Sequence, residues 1–169
     1  GATIWIDGFN VLTTVEAALA GGVLLLGRDG ALRDMASMHG SYRRVAETEP
    51  AIAAIAGTLR AFGVGACCWW LDAPVSNSGR LASMLRTYAS EQTLDWSVEV
   101  VADPDARLRN ASAEVAVATA DSGLMDAASR TWQLAREVVA RLESPCWLVA
   151  PVAAAGGLPS AAIGRQATR

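Results

Sequence analysis

Thr3-Ile4-Trp5-Ile6-Asp7-Gly8-Phe9-Asn10 is the stretch that decides the fold. Its first four residues are β-favouring and uncharged, and the run breaks at Asp7-Gly8. A short run of this kind, stopped by a turn signal, predicts a strand covered on both faces, as in a parallel sheet packed between helices. Residues 3–7 are therefore expected to be a buried first strand that ends on an aspartate.

The same pattern recurs further along the chain. Val64 to Leu71 is a continuous apolar run that stops at Asp72, Trp96 to Ala102 alternates and stops at Asp103, and Glu114 to Ala120 stops at Asp121. Cys146 to Ala150 reads as a last strand. Helical spacings lie between them. Glu49-Pro50 opens one, since proline suits a first turn. There Ile52, Ile55, Ala56, Leu59 and Phe62 share a face, and Gly63 closes the helix. Gly79 to Gln92 sets Leu81, Met84, Leu85 and Tyr88 on one side. From Leu124 onward, Trp132, Ala135, Val138, Val139 and Leu142 form an apolar stripe. Val15 to Ala20 supplies one or two helical turns, and Met35 to Arg44 reads either way. Val23 to Leu26 and Ala31 to Arg33 flank an Asp-Gly turn and read as a hairpin. Alternating strands and helices predict an α/β three-layer sandwich with a mostly parallel central sheet of about five strands and a small hairpin insertion. One domain is expected over residues 1–150. The Ala/Gly/Pro-rich tail over 151–169 is expected to fray or to pack on a neighbour.

Composition narrows the function classes. The chain has 169 residues, 52% hydrophobic and 18% charged, with net charge −3, so a general polyanion-binding surface is not indicated. Every basic residue is arginine. Contact with nucleic acid would be local, through guanidinium groups that grip phosphate by two hydrogen bonds. Cys67, Cys68 and Cys146 lack CxxC spacing and predict neither a zinc site nor a disulfide framework, which suits a reducing cytosol. The longest apolar run, Ala17 to Leu26, is too short to span a membrane. No signal peptide is visible, and the absence of an initiator methionine suggests a fragment or a processed product.

Three apolar runs end in Asp7, Asp72 and Asp121. In an open parallel sheet the ligand crevice lies outside the carboxyl ends of the strands, so three carboxylates would converge on one edge. Crowded carboxylates repel unless a cation neutralises them, and Mg²⁺ does so with oxygen ligands alone. Such an ion activates water and stabilises charge on a phosphate. The competing reading makes each aspartate a turn-former or helix N-cap. The single histidine, His39, lies away from the strand ends, and GxSxG, Walker A and GxGxxG patterns are absent.

Ile4-Trp5-Ile6-Asp7-Gly8-Phe9-Asn10-Val11 resembles the opening strand of PIN/NYN-type nuclease domains, and Thr119 to Asp126 resembles their later acidic segment. The resemblance implies a metal at Asp7 and Asp121, with Asn10 orienting Asp7 or touching substrate, and a further acidic residue at Asp126. It also implies an acid on a helix after the first strand, for which Glu16, Asp34 and Asp103 are the candidates. Over residues 4–140 the chain is closer still to a prokaryotic family of PIN-like proteins. The segments that carry this are Asp7 to Val11, Arg33-Asp34, His39 to Arg44, and Asp72 to Gly79.

His39, Tyr42, Arg43 and Arg44 form the segment expected to hold phosphate and stack a base, against the alternative of a solvated loop. Ser76 and Ser78, with Asn77 and Arg80, are expected to form a substrate loop opening a helix, or a plain capped turn. The first hypothesis is a Mg²⁺- or Mn²⁺-dependent hydrolase of RNA phosphodiesters using Asp7, Asn10, Asp72 and Asp121. The rivals are a non-catalytic RNA-, nucleotide- or protein-binding module and a small-substrate phosphatase. The tryptophans and the apolar tail suggest a homodimer.

Overall fold

A computed structural model describes residues 3–35, 42–143 and 146–150. The first strand, β1 (Thr3–Asp7), runs straight into α1 (Gly8–Leu19). That helix is longer than the one or two turns expected near Val15. It starts directly after the strand because residue 8 is glycine. A Cβ there would stand 2.4 Å from Leu71 Cδ2 and 2.9 Å from the Trp70 carbonyl oxygen. Only a residue without a side chain lets the backbone turn so close to its neighbour.

The hairpin forms as expected, from β2 (Val23–Leu26) and β3 (Leu32–Asp34), antiparallel. Then come α2 (Thr48–Ala61), β4 (Ala66–Asp72), α3 (Ser78–Glu91) and β5 (Asp95–Val101). Gly63, in the left-handed region at φ 66°, ends the α2 turn. The Val64 amide reaches back to the Leu59 carbonyl there. Phe62 is not core, contrary to the spacing: it is 48% exposed, edge-on to Trp132 at 5.2 Å, with the Arg141 guanidinium over its ring.

The second half departs further from the sequence reading. A short helix, α4 (Pro104–Arg109), follows β5, and β6 is only Ala116–Ala118. The stripe from Leu124 to Leu142 is not one helix. It divides into α5 (Ser122–Ala127), β7 (Thr131–Trp132) and α6 (Leu134–Val139). The last strand, β8 (Trp147–Val149), does not join the central sheet. It pairs in parallel with β2 to make a second, three-stranded sheet. The expected last strand over Cys146 to Ala150 thus forms, but in the small sheet, and β7 takes the fifth central position.

The central sheet has the order β5-β4-β1-β6-β7, and its four pairings are all parallel. The chain winds outward from β1 through β4 to β5, then returns to lay β6 on the other side of β1. One face is covered by α1, α2, α3 and α6 over a core that includes Ile6, Trp69, Leu71 and Leu134. The other is covered by α4 and α5 over Leu108, Val117 and Leu124, against which Trp5 and Trp70 pack. Alternation along β4 thus sends Trp69 and Trp70 to opposite layers. Each of their indole N–H groups is buried without a partner among the described residues. These tryptophans serve packing: Trp5 lies on Trp70 at 5.0 Å, and Trp69 on Trp96 at 5.3 Å.

The small sheet closes over Ala18 and Val139 with Leu24, Leu26 and Leu32. Its outer face leaves Val23, Leu25, Trp147 and Val149 exposed. No helix among the described residues is long and apolar enough to cross a membrane. The tail over 151–169 lies outside the described residues.

Candidate active site

The order reverses between β1 and β6, and a doubly wound sheet forms its crevice at such a point, outside the strand C-termini. Asp7 is the last residue of β1 and Asp72 the last of β4, so the register of the sheet carries both to one edge. Asp121 arrives differently. Strand β6 stops at Ala118, and Asp121 is the N-cap of α5, its Oδ1 accepting from the Leu124 amide at 2.8 Å. The capping role weighed against a ligand role is thus present at this residue.

Two cross-links tie the β1 and β6 ends together. Thr119 Oγ1 donates to Asp7 Oδ2 at 2.7 Å and accepts from the Asp121 amide at 3.0 Å. Asn10, in the first turn of α1, accepts from the Ala120 amide through Oδ1 at 2.8 Å. It therefore fixes the Thr119-Ala120-Asp121 turn rather than touching Asp7. Asp7 is itself the N-cap position of α1, yet its side chain caps no amide.

The electrostatics of this edge are unfavourable for an empty site. Burial pushes the Asp7 carboxyl from an ordinary 3.8 up to about 7. The Thr119 hydroxyl opposes that rise, and the charges of Asp105, Asp72 and Asp121 add to it. Asp72 is also raised, first by burial and then by Asp105 and Asp103. Asp105 is raised by burial, Asp121 and Asp103, with Arg109 pulling the other way from 3.5 Å. Like charges crowd here, and among the described residues the half-exposed Arg109 answers them.

Asp105 was missed from sequence. The signal was present in Asp103-Pro104-Asp105: a capping aspartate, a proline at the first helical position and an acid in the first turn mark a helix start. Asp103 Oδ1 does cap α4, accepting from Ala106 at 2.9 Å. Asp126 is exposed on α5 and is not among the charges that act on Asp7. The other acidic candidates have local duties. Glu16 is buried, and its Oε1 accepts from Tyr42 at 2.6 Å and Thr48 at 2.5 Å, while Asp34 accepts from Thr13 at 2.9 Å.

Oxygen donors under mutual repulsion suit a hard divalent cation in their chemistry. Among the described residues, no group of three His, Cys, Asp or Glu is close enough as it stands to hold one.

The second expected cluster divides. Tyr42 is 3% exposed, its ring lies 5.3 Å from Phe9 and its hydroxyl serves Glu16, so the stacking role expected of it is excluded by burial. Arg43 and Arg44 are exposed, and Arg44 pairs with Glu49 at 2.5 Å. Ser76 is exposed in the loop after β4, and Ser78 is buried at the start of α3. His39 lies outside the described residues.

A family model described as a domain of unknown function, DUF5616, matches residues 1–137. An uncharacterised protein of Methanocaldococcus jannaschii is 35% identical over 122 residues. That match covers 72% of this chain and only 57% of the relative's length. No solved structure is similar to the chain at a significant level.

Proposed function

The chain belongs to the DUF5616 family, and from that premise and its acidic edge we propose a divalent-metal-dependent hydrolase of RNA phosphodiester bonds. It is of the PIN/NYN-like kind that the Asp7-Gly8-Phe9-Asn10 segment resembles. One observation carries the reading. Asp7 ends the central strand at the point where the sheet order reverses, half-buried among the charges of three other carboxylates. A site that needs a cation to relieve it looks like this.

Asp7 and Asp72 would hold Mg²⁺ or Mn²⁺, with Asp105 and Asp121 adding negative charge around it. Bound there, the ion would supply an activated water and neutralise charge on the phosphoryl oxygens. The chain's own residues do the positioning. Thr119 holds one Asp7 oxygen and Asn10 holds the turn that carries Thr119. Arg43 and Arg44, with His39 and Ser76, are assigned to the path of the strand. A cytosolic setting and a homodimer formed through the exposed face of the small sheet belong to the same proposal.

The absence of a closed three-ligand group among the described residues favours one rival, a PIN-like module that binds RNA without cutting it. Calorimetry with Mn²⁺, comparing the parent chain with Asp7→Asn, separates the two. Binding in the parent that disappears in the variant, followed by RNA cleavage with the same dependence, is the expected result. No Mn²⁺ binding by the parent, with or without RNA, would leave the binding module.

A further inference from the structure

We propose that Arg43 and Arg80 form a pocket for a phosphate monoester, supplied by the end of an RNA strand or by a free nucleotide. The inference rests on the proposed function only for the use made of the bound strand, because the pocket has its own geometry. A cavity of about 260 Å³ lies between the segment that begins at Tyr42 and the start of α3, with Arg43, Arg44 and Arg80 in its lining. In a chain of net charge −3, three guanidinium groups around one cavity make a local positive site.

Charge counting selects the ligand. Arg44 is already paired with Glu49. Among the described residues no carboxylate pairs with Arg43 or Arg80, which leaves two positive charges facing the cavity. A phosphate monoester carries about −1.5 to −2 at neutral pH, whereas an internal phosphodiester carries only one negative charge. Two guanidiniums match the monoester. Leu81 and Met84 give the same cavity an apolar floor on which a ribose or base can lie.

The walls are built rather than left to loose side chains. The Tyr42 amide donates to the Ser76 carbonyl at 3.4 Å, and the Tyr42 carbonyl accepts from Asn77 Nδ2 at 2.8 Å. Asn77 stands in the left-handed region at φ 68°. With its amide turned to Tyr42, it makes no side-chain cap on the 14-residue α3. The Ser78 amide donates to the Val75 carbonyl at 3.2 Å, and among the described residues no side chain caps the Gly79 and Arg80 amides that follow it. Below, the Tyr42 hydroxyl is anchored on Glu16 in the core. Only residues 73–77 separate Asp72 from α3, a reach of at most about 18 Å. A strand held by its terminal phosphate would thus bring its end linkages toward the acidic edge.

Binding is measured in EDTA, so that no divalent ion contributes, by fluorescence anisotropy. The probes are a short oligoribonucleotide with a phosphate at one end, in 5′ and 3′ versions, and its counterpart with hydroxyls at both ends. A nucleoside monophosphate serves as competitor. The phosphorylated oligonucleotide should bind about tenfold more tightly, the order expected for one charge-assisted pair. Arg43→Gln and Arg80→Gln should each remove that preference; both residues are exposed, so the fold is kept. Asp7→Asn should retain it. A mononucleotide that competes as well as the strand would identify the free nucleotide as the source. Equal affinity for the phosphate and hydroxyl ends, or a preference that survives both arginine variants, overturns the pocket. No Mn²⁺ binding by the parent chain, with or without RNA, and the preference intact, would defeat the hydrolase reading and leave this one standing.

Discussion

Asp7 and Glu16 are two carboxyl groups withdrawn from water near opposite ends of α1, and their surroundings differ in kind. Glu16 is raised by burial and, less, by the charges of Glu47 and Asp34, but two hydroxyls, from Thr48 and Tyr42, donate to it, and it holds a segment to the core. Asp7 is raised by burial too, yet it has one hydroxyl and three carboxylate neighbours. Burial alone therefore does not mark a functional site. The mark is burial with too little compensation, and of these two groups Asp7, with a single hydroxyl, carries it. A satisfied buried carboxylate stabilises the fold, and an uncompensated one destabilises the fold until a ligand arrives.

The largest expected effect tests the satisfied member. Glu16→Ala would leave the Tyr42 and Thr48 hydroxyls without their shared acceptor, at a cost of about 2–3 kcal/mol in urea unfolding. A loss below about 0.5 kcal/mol would break the contrast.

Asp7→Asn should act with the opposite sign. With a folded value of about 7 against an ordinary 3.8, the folded chain binds the extra proton between those limits. The favourable contribution is complete below about pH 4 and is lost as pH rises through 7. At pH 8 and without metal, Asp7→Asn should thus raise stability by about 1–3 kcal/mol, one pKa unit being about 1.4 kcal/mol and the open edge screening part of it. At pH 4 the gain should disappear. Thermal unfolding at the two pH values reads the difference, and destabilisation at pH 8 would show that Asp7 is compensated after all.

The smallest effect sharpens the membership of the cluster. Asp105→Asn should weaken Mn²⁺ binding several-fold, because its charge acts directly on Asp7 and Asp72. Asp126→Asn should leave it unchanged. The reverse ranking, by calorimetry, would restore the assignment of Asp126 made from sequence.

The layer architecture was legible in the order of residues, and for a local reason. Uncharged runs such as Ile4 to Ile6 and Cys67 to Leu71 have one stable place, inside a parallel sheet, and their terminal aspartates fall at its C-terminal edge. Asp7 and Asp72 were legible on that basis. Where the short elements pair depends on how distant segments pack. The two-residue β7 and the three-residue β8 carry too few residues for a periodic signal, so the stripe through Trp132 reads as one helix and nothing local says that Trp147 to Val149 pairs with β2. Tertiary structure also decided which polar groups meet. Nothing local places Thr119 on Asp7, Tyr42 on Glu16, or Asp105 beside the strand ends, because those contacts join residues brought together only when β6 returns to β1 and the core closes. Side-chain periodicity reports which face is dry. It does not report which partner waits there, since that is fixed by the packing of distant segments.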